Sequence, residues 1–451
     1  MKIIILLMVT SFSLMAEQRG NWKPFESPFL IIAQKFEQNF NKLPYSGRLS
    51  KRPWSDTYWA TWQGGLSVRW SGKERDFGYK LLTKDDLAKI DLAILSPAEK
   101  WDLFMGDSNW TLTKEERQRT EILKTVKGSP EYKRGFEIPK WYGLCHAWAP
   151  ATLLYDSPGP ITLENSNGIK VPFYASDIKA LLTYNLHIQG ENTKTYFMGS
   201  RCNVTLPKYL KALTLGMLTE KEYVARVKNE NCNDMDAGAT HLAMANLIGL
   251  KNTGFVMDMT RGAEVWNQAV YSYSSKILGT TVPKKKRNEV IDPILGVSKI
   301  LTLKTDVVYI TEISPNKEGK NFPKNSLRDV IYNYEVHLNA SGEIVGGKWL
   351  DNNRPDFFWR SEDPGFSPVL SQLENVYRSS ALNAPYESRV YSKEQIKTLF
   401  KDRAKAIIVT KRFIKNSAQL AQERRDKRID YFNNVKNDMI NNVASLLDIF
   451  K

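Results

Sequence analysis

The alternation of apolar and polar positions divides the chain into three kinds of segment. The first is short: Met1-Lys2, an apolar run from Ile3 to Met15 broken only by Thr10, Ser11 and Ser13, then Ala16 ahead of Glu17-Gln18-Arg19. A basic start, a brief apolar centre and a small residue at the cut predict a secretory signal peptide over residues 1–16. Its centre is too short to span a bilayer, and no later stretch reaches the roughly 18 uninterrupted apolar residues of a membrane helix. The expected product is soluble, secreted or periplasmic, with no transmembrane segment.

The second kind mixes periods. Between Trp54 and Trp70 the runs Tyr58-Trp59-Ala60-Thr61-Trp62 and Leu66-Ser67-Val68-Arg69-Trp70 flank Gly64-Gly65 and predict short strands. Ser96-Pro97-Ala98-Glu99 has the cap, first-turn proline and returning glutamate of a helix start. In Trp141-Tyr142-Gly143-Leu144-Cys145-His146-Ala147-Trp148 the glycine breaks a strand-like lead-in, and the alanine-rich sequel puts Cys145 at or just before a helix N-terminus. Pro150 requires that this helix start near Trp148 or be kinked. Alternating stretches predict strands within Val256–Val270, Tyr332–Leu338 and Ile344–Trp349, the last two joined by the turn Ala340-Ser341-Gly342. The third kind begins after Pro364. Ile396, Leu399, Phe400, Ile407 and Ile414 keep one helical face, and Ile429, Phe432, Met439, Val443, Leu446 and Phe450 keep near-heptad spacing. The expected organisation is a signal peptide over 1–16, a catalytic core over 17–364 and a basic helical extension over 365–451. The class is α+β.

Composition changes this picture little: 42% apolar and 25% charged residues fit an ordinary packed protein and exclude disordered and fibrous classes. The net charge of +15 raises the question of nucleic acid. From Ser392 to Arg428 there are 12 Lys and Arg against 4 Asp and Glu, with no nucleic-acid-binding motif beside them. That segment is expected to form solvated helix faces that contact an acidic surface or a partner, and no nucleic acid is expected. Three cysteines in an exported chain imply one pair and one free thiol. Cys202 and Cys232 sit in polar, loop-like surroundings and are expected to be bridged; closing about 30 residues would contribute roughly 3–4 kcal/mol. Cys145 is left free.

A thiol nucleophile needs help to ionise, a base and a group that orients the base. A helix N-terminus offers Cys145 a positive dipole end and backbone donors. The chain has 4 histidines, His146, His187, His241 and His337. His146 adjoins Cys145 and diverges from it, whereas His241 follows the turn Asp236-Ala237-Gly238 and is the best base available. Asp258, 17 residues on in an otherwise apolar strand, needs a buried partner, and an imidazole on an adjacent strand would be one; Asn246 is its rival as orienting group. Trp141 and Trp148 are candidate cleft walls. Asp234 and Asp236 are weak calcium candidates, since two acids in a loop are usually just solvated.

These residues resemble the transglutaminase elicitor family, exported enzymes of plant-pathogenic oomycetes with bacterial relatives. The resemblance is carried by WYGLCHAWAPA around Cys145, DIKAL from Asp177, RCN at Arg201, CNDMDAGATH up to His241, NLIG, GAEVWNQAV over 262–270 and GEIVGGKWLDNNRPDFFW over 342–359. It runs from Trp54 to Trp359 and excludes the helical tail. GAEVWNQAV resembles the surface peptide that plants perceive in the oomycete members, although Ala269 and Tyr271-Ser272-Tyr273 depart from it. The resemblance implies a papain-like, transglutaminase-type core with the nucleophile at a helix N-terminus and the His and Asp on adjacent antiparallel strands. It implies a Cys145, His241 and Asp258 triad, and calcium-dependent joining of glutamine on one protein to lysine on another. Two alternatives share the sequence: a thiol hydrolase, protease or deamidase, using the same triad, and a catalytically inactive secreted binding protein.

Overall fold

The computed structural model describes residues 19–382 apart from 72–79, 191–192, 202–218, 220–234, 260–263, 285–291, 293, 318–325 and 352. The signal peptide over 1–16, the Cys202–Cys232 bridge, Asp234 and the helices expected beyond 382 therefore lie outside the described residues.

Ten strands are described: β1 (Ser46–Arg48), β2 (Ile161–Glu164), β3 (Lys170–Phe173), β4 (Thr195–Gly199), β5 (Val256–Asp258), β6 (Asn267–Thr281), β7 (Lys299–Ile310), β8 (Leu327–Leu338), β9 (Ile344–Trp349) and β10 (Phe357–Ser361). Described helices of eight residues or more are α1 (Pro97–Phe104), α2 (Thr111–Thr120), α3 (Cys145–Leu154), α4 (Ala175–Gln189), α5 (Ala237–Met244) and α6 (Leu373–Ala381). The main sheet has the order β4-β10-β5-β6-β7-β8-β9, with β1 beside β6, and its pairings are antiparallel. β2 and β3 form a separate hairpin.

Alternation along the strands gives this sheet two different faces. Val256, Ala269, Ile310 and Trp359 face a layer containing Leu144, Ala147 and Trp148 of the α3 segment and Ile178 and Leu181 of α4. Their strand neighbours Met257, Val270 and Phe358 face the other way, into a core shared with Tyr332, Tyr334 and Leu242 of α5. The register across β10, β5, β6 and β7 is consistent with this: Trp359 lies opposite Val256, Val256 opposite Ala269 and Ala269 opposite Ile310.

Several local expectations are met. Ser96 Oγ accepts from Glu99 N at 3.2 Å, and Glu99 Oε2 accepts from Ser96 N at 3.1 Å, starting α1. The β8–β9 hairpin turns at Gly342, whose φ of 78° no other residue adopts as cheaply. Others need correction. Trp54–Trp70 contains no strand but two 3₁₀ turns, Thr61–Gln63 and Gly65–Ser67. Positive φ at Trp59, Gly64 and Gly65 breaks the extended period that its alternation suggested. Cys145 opens its helix as expected, but the helix does not wait for Trp148 to begin and holds Pro150 in its interior. Packing continues past Pro364, because Leu370, Leu373, Val376 and Tyr377 belong to the α3–α4 core. Ser367 N also donates to Asn185 Oδ1 at 2.8 Å.

Candidate functional site

Cys145 is the first residue of α3 and is partly exposed. The segment before it is docked by backbone contacts: Leu144 N donates to the Tyr58 carbonyl at 2.7 Å. Gly143 lies so close that a Cβ there would fall on the Tyr58 ring and 2.7 Å from that carbonyl oxygen. Tyr58 OH donates to the Lys140 carbonyl at 2.6 Å, and its ring meets Trp266 edge-on at 6.1 Å. A cavity of about 870 Å³ opens where Lys140, Pro139, Phe136, Ile122, Trp62 and Gln63 face one another.

The sulfur sits in a chain of directed groups. Trp359 Nε1 donates to Asn267 Oδ1 at 2.8 Å. An indole can only donate, so this contact fixes which end of the Asn267 amide is nitrogen. Asn267 Nδ2 then donates to Cys145 Sγ at 3.6 Å, and the thiol donates to the Val265 carbonyl at 3.7 Å. Burial pushes the thiol pKa up from its ordinary value, the side-chain and backbone N–H groups of Asn267 pull it down, and the charges of Glu312 and Asp258 push it up again. The balance is upward, so the resting group is the thiol. Glu312 is held by Gln268 Nε2 at 2.7 Å.

Asp258 ends β5 opposite Asn267, fully buried, with Oδ1 accepting from Trp266 N at 3.0 Å. Its expected position on a strand near Cys145 holds, but its expected pairing with His241 does not. His241 lies on helix α5, not on a strand. Its Nδ1 is 2.8 Å from Tyr334 OH, its ring stacks on Phe40 at 5.6 Å, and burial lowers its pKa to about 4. Phe40 and Tyr334 both belong to the core on the sheet face turned away from α3, so the sheet stands between His241 and Cys145.

None of the other histidines is bonded to the sulfur. His146 Nε2 is 3.0 Å from His187 Nδ1, and His337 Nε2 is 3.7 Å from Glu335. The rival Asn246 braces the N-terminal segment, accepting from Glu37 N at 2.8 Å and donating to Glu37 O at 2.9 Å.

Trp148 is corrected from cleft wall to core: it is fully buried in the layer under the sheet. Trp141 packs edge-on against Tyr142 at 4.6 Å and stands outside the cavity lining. Asp236 is a helix cap, its Oδ1 accepting from Ala239 N at 2.9 Å and its Oδ2 from Gly347 N at 3.0 Å. Both oxygens are thus engaged, and the described residues contain no group of three or more His, Cys, Asp and Glu side chains suited to a metal. No chemical step is assigned to calcium. Among the described residues no helix is long and apolar enough to cross a membrane.

Sequence reasoning missed Asn267, Trp359, Tyr58 and Trp266. A signal existed for Asn267, a polar residue opening a strand within GAEVWNQAV, but its meaning depends on the β5–β6 register.

A family model described as Transglutaminase elicitor matches residues 29–373. Among solved structures, the crystal structure of the GP42 transglutaminase from Phytophthora sojae aligns with a TM-score of 0.56 at 21% identity, covering 81% of this chain and 100% of that one. At that identity the likeness is one of fold. No curated protein matches the chain.

Proposed function

Because the chain belongs to the transglutaminase elicitor family, we propose that it is a thiol acyltransferase whose nucleophile is Cys145. In this reading the sulfur attacks the carbonyl carbon of a glutamine carboxamide. The S–C bond forms, the C–N bond breaks, and ammonia leaves with the thiol proton. A primary amine, such as a lysine side chain, then attacks the thioester, forms the amide and returns the proton to sulfur. Exported protein substrates bearing glutamine and lysine would be joined.

The observation that carries this reading is the sulfur at the start of α3, held between Asn267 Nδ2 and the Val265 carbonyl by an amide that Trp359 has oriented. Asn267 supplies donors where a thiolate needs them, and the helix start offers further N–H groups to an oxyanion. With no histidine bonded to it, Cys145 ionises on its own, and turnover should climb with pH up to and beyond the ordinary thiol value of 9.0.

The absence of a bonded imidazole favours a second reading, a family member that keeps the fold as a binding protein and does not turn over. Incorporation of a labelled primary amine into a glutamine-rich protein, measured between neutral and alkaline pH, separates the two. Incorporation that rises with pH and vanishes in Cys145→Ala supports acyl transfer; none at any pH supports the binding protein. Release of ammonia without incorporation would instead favour the deamidase.

A further inference from the structure

His146 and His187 lie 41 positions apart in sequence and meet where the first turn of α3 faces the last turn of α4. His146 Nε2 and His187 Nδ1 are 3.0 Å apart, with the ring centroids separated by 5.2 Å and the planes crossed at 68°. From this juxtaposition we infer that the two imidazoles form a two-histidine site for a late first-row divalent transition-metal ion, one residue beyond the nucleophile.

The spacing carries the argument. Two imidazole nitrogens each about 2.0–2.1 Å from one ion, at angles between square-planar and tetrahedral, stand about 2.9–3.4 Å apart. The observed 3.0 Å falls in that range, so an ion could sit between the two nitrogens without moving either helix, the donor ring carrying its proton on its other nitrogen instead. His146 is exposed and His187 partly so, which leaves an entry path and room for water to complete the coordination. Arg119 opposes a cation, but its charge is matched by Glu116, which accepts from Nε at 2.6 Å and Nη2 at 2.8 Å. The donors select the ion's class. Imidazole suits cobalt, nickel, copper and zinc, whereas calcium takes oxygen. This site is independent of the chemistry proposed for Cys145.

The test is Co²⁺ titration of the full chain, followed by calorimetry and by the visible spectrum, alongside His146→Ala, His187→Ala and His187→Asn. The Asn variant can still accept a hydrogen bond from His146 but is a poor ligand for such ions, which separates ligation from a simple contact. The expected result is one ion bound, without a sulfur-to-metal charge-transfer band, and affinity lowered about tenfold or more in each variant. Unchanged melting temperatures would show the variants folded. Binding unaltered by the variants, a thiolate band that accounts for the ion, or no binding at millimolar Co²⁺ would each overturn the inference.

Discussion

The two faces of the main sheet hold the same kinds of group and use them differently. On one face a sulfur lies at a helix start, partly exposed, with contacts of 3.6 and 3.7 Å and a pKa pushed up. On the other an imidazole is sealed in the core, with a 2.8 Å contact to Tyr334 OH and a pKa pushed down to about 4. Tyr334 OH passes the interaction on to Thr305 at 2.8 Å, and Thr305 to Ser275 at 2.8 Å. That is a closed, satisfied buried network, whereas the sulfur lies partly exposed at a helix start. A cysteine, a histidine and an aspartate in the right order thus make a triad only if the elements that carry them pack on one side of the sheet.

Four experiments would break or sharpen this contrast. The largest effect is expected from Cys145→Ala, which should reduce amine incorporation to background while leaving the melting temperature within a degree or two, since only a small side chain changes. Next, alkylation of Cys145 by iodoacetamide should quicken about tenfold per pH unit from neutral pH towards its raised pKa. A plateau already at pH 7 would mean that an unseen base ionises the sulfur. Third, Asn267→Ala and Trp359→Phe should each lower the incorporation rate about tenfold, Trp359→Phe by freeing the Asn267 amide to turn. An Asn267→Ala protein with full rate would remove the amide from the site.

The smallest effect on the chemistry should come from His241→Phe, less than about twofold in the rate of folded protein. Its effect belongs to stability, about 1 kcal/mol from the lost Tyr334 contact. The folded pKa of about 4 lies below the ordinary 6.5, so between them the unfolded chain binds more protons. The contribution is whole above pH 6.5 and lost as pH falls towards 4, with a slope of up to about 1.4 kcal/mol per unit. His146 and His187 slope the same way, so the quantity to measure is the difference between wild type and His241→Phe in urea midpoints at pH 7 and pH 5. A folded His241→Phe protein without activity would restore His241 to the chemistry.

What was legible in the sequence were features that local rules determine. The capping box at Ser96 and Glu99, the hairpin at Gly342, the strand ending in Asp258 and the helix at Cys145 each follow from a few neighbouring residues. The side of the sheet on which His241 lies does not. It depends on α5 packing against β8 and β9, far along the chain, and His241 reads equally well as a base or as a core residue until Tyr334 is in place. Trp148 misled in the same way, because an indole beside a nucleophile in sequence points into the core when the helix turns. Asn267 was hidden because its role is defined by partners at 145 and 359, brought together by sheet register.

Gly143 works as a spacer with no tolerance. The chain passes Tyr58 at a separation set by a missing side chain, so the reach of the sulfur towards Asn267 is gauged by the thickness of bare backbone. Even a methyl group there would lift the start of α3 off its seat on Tyr58 and withdraw the sulfur from the amide. The core beneath would remain filled, leaving a sound fold around a nucleophile held out of range.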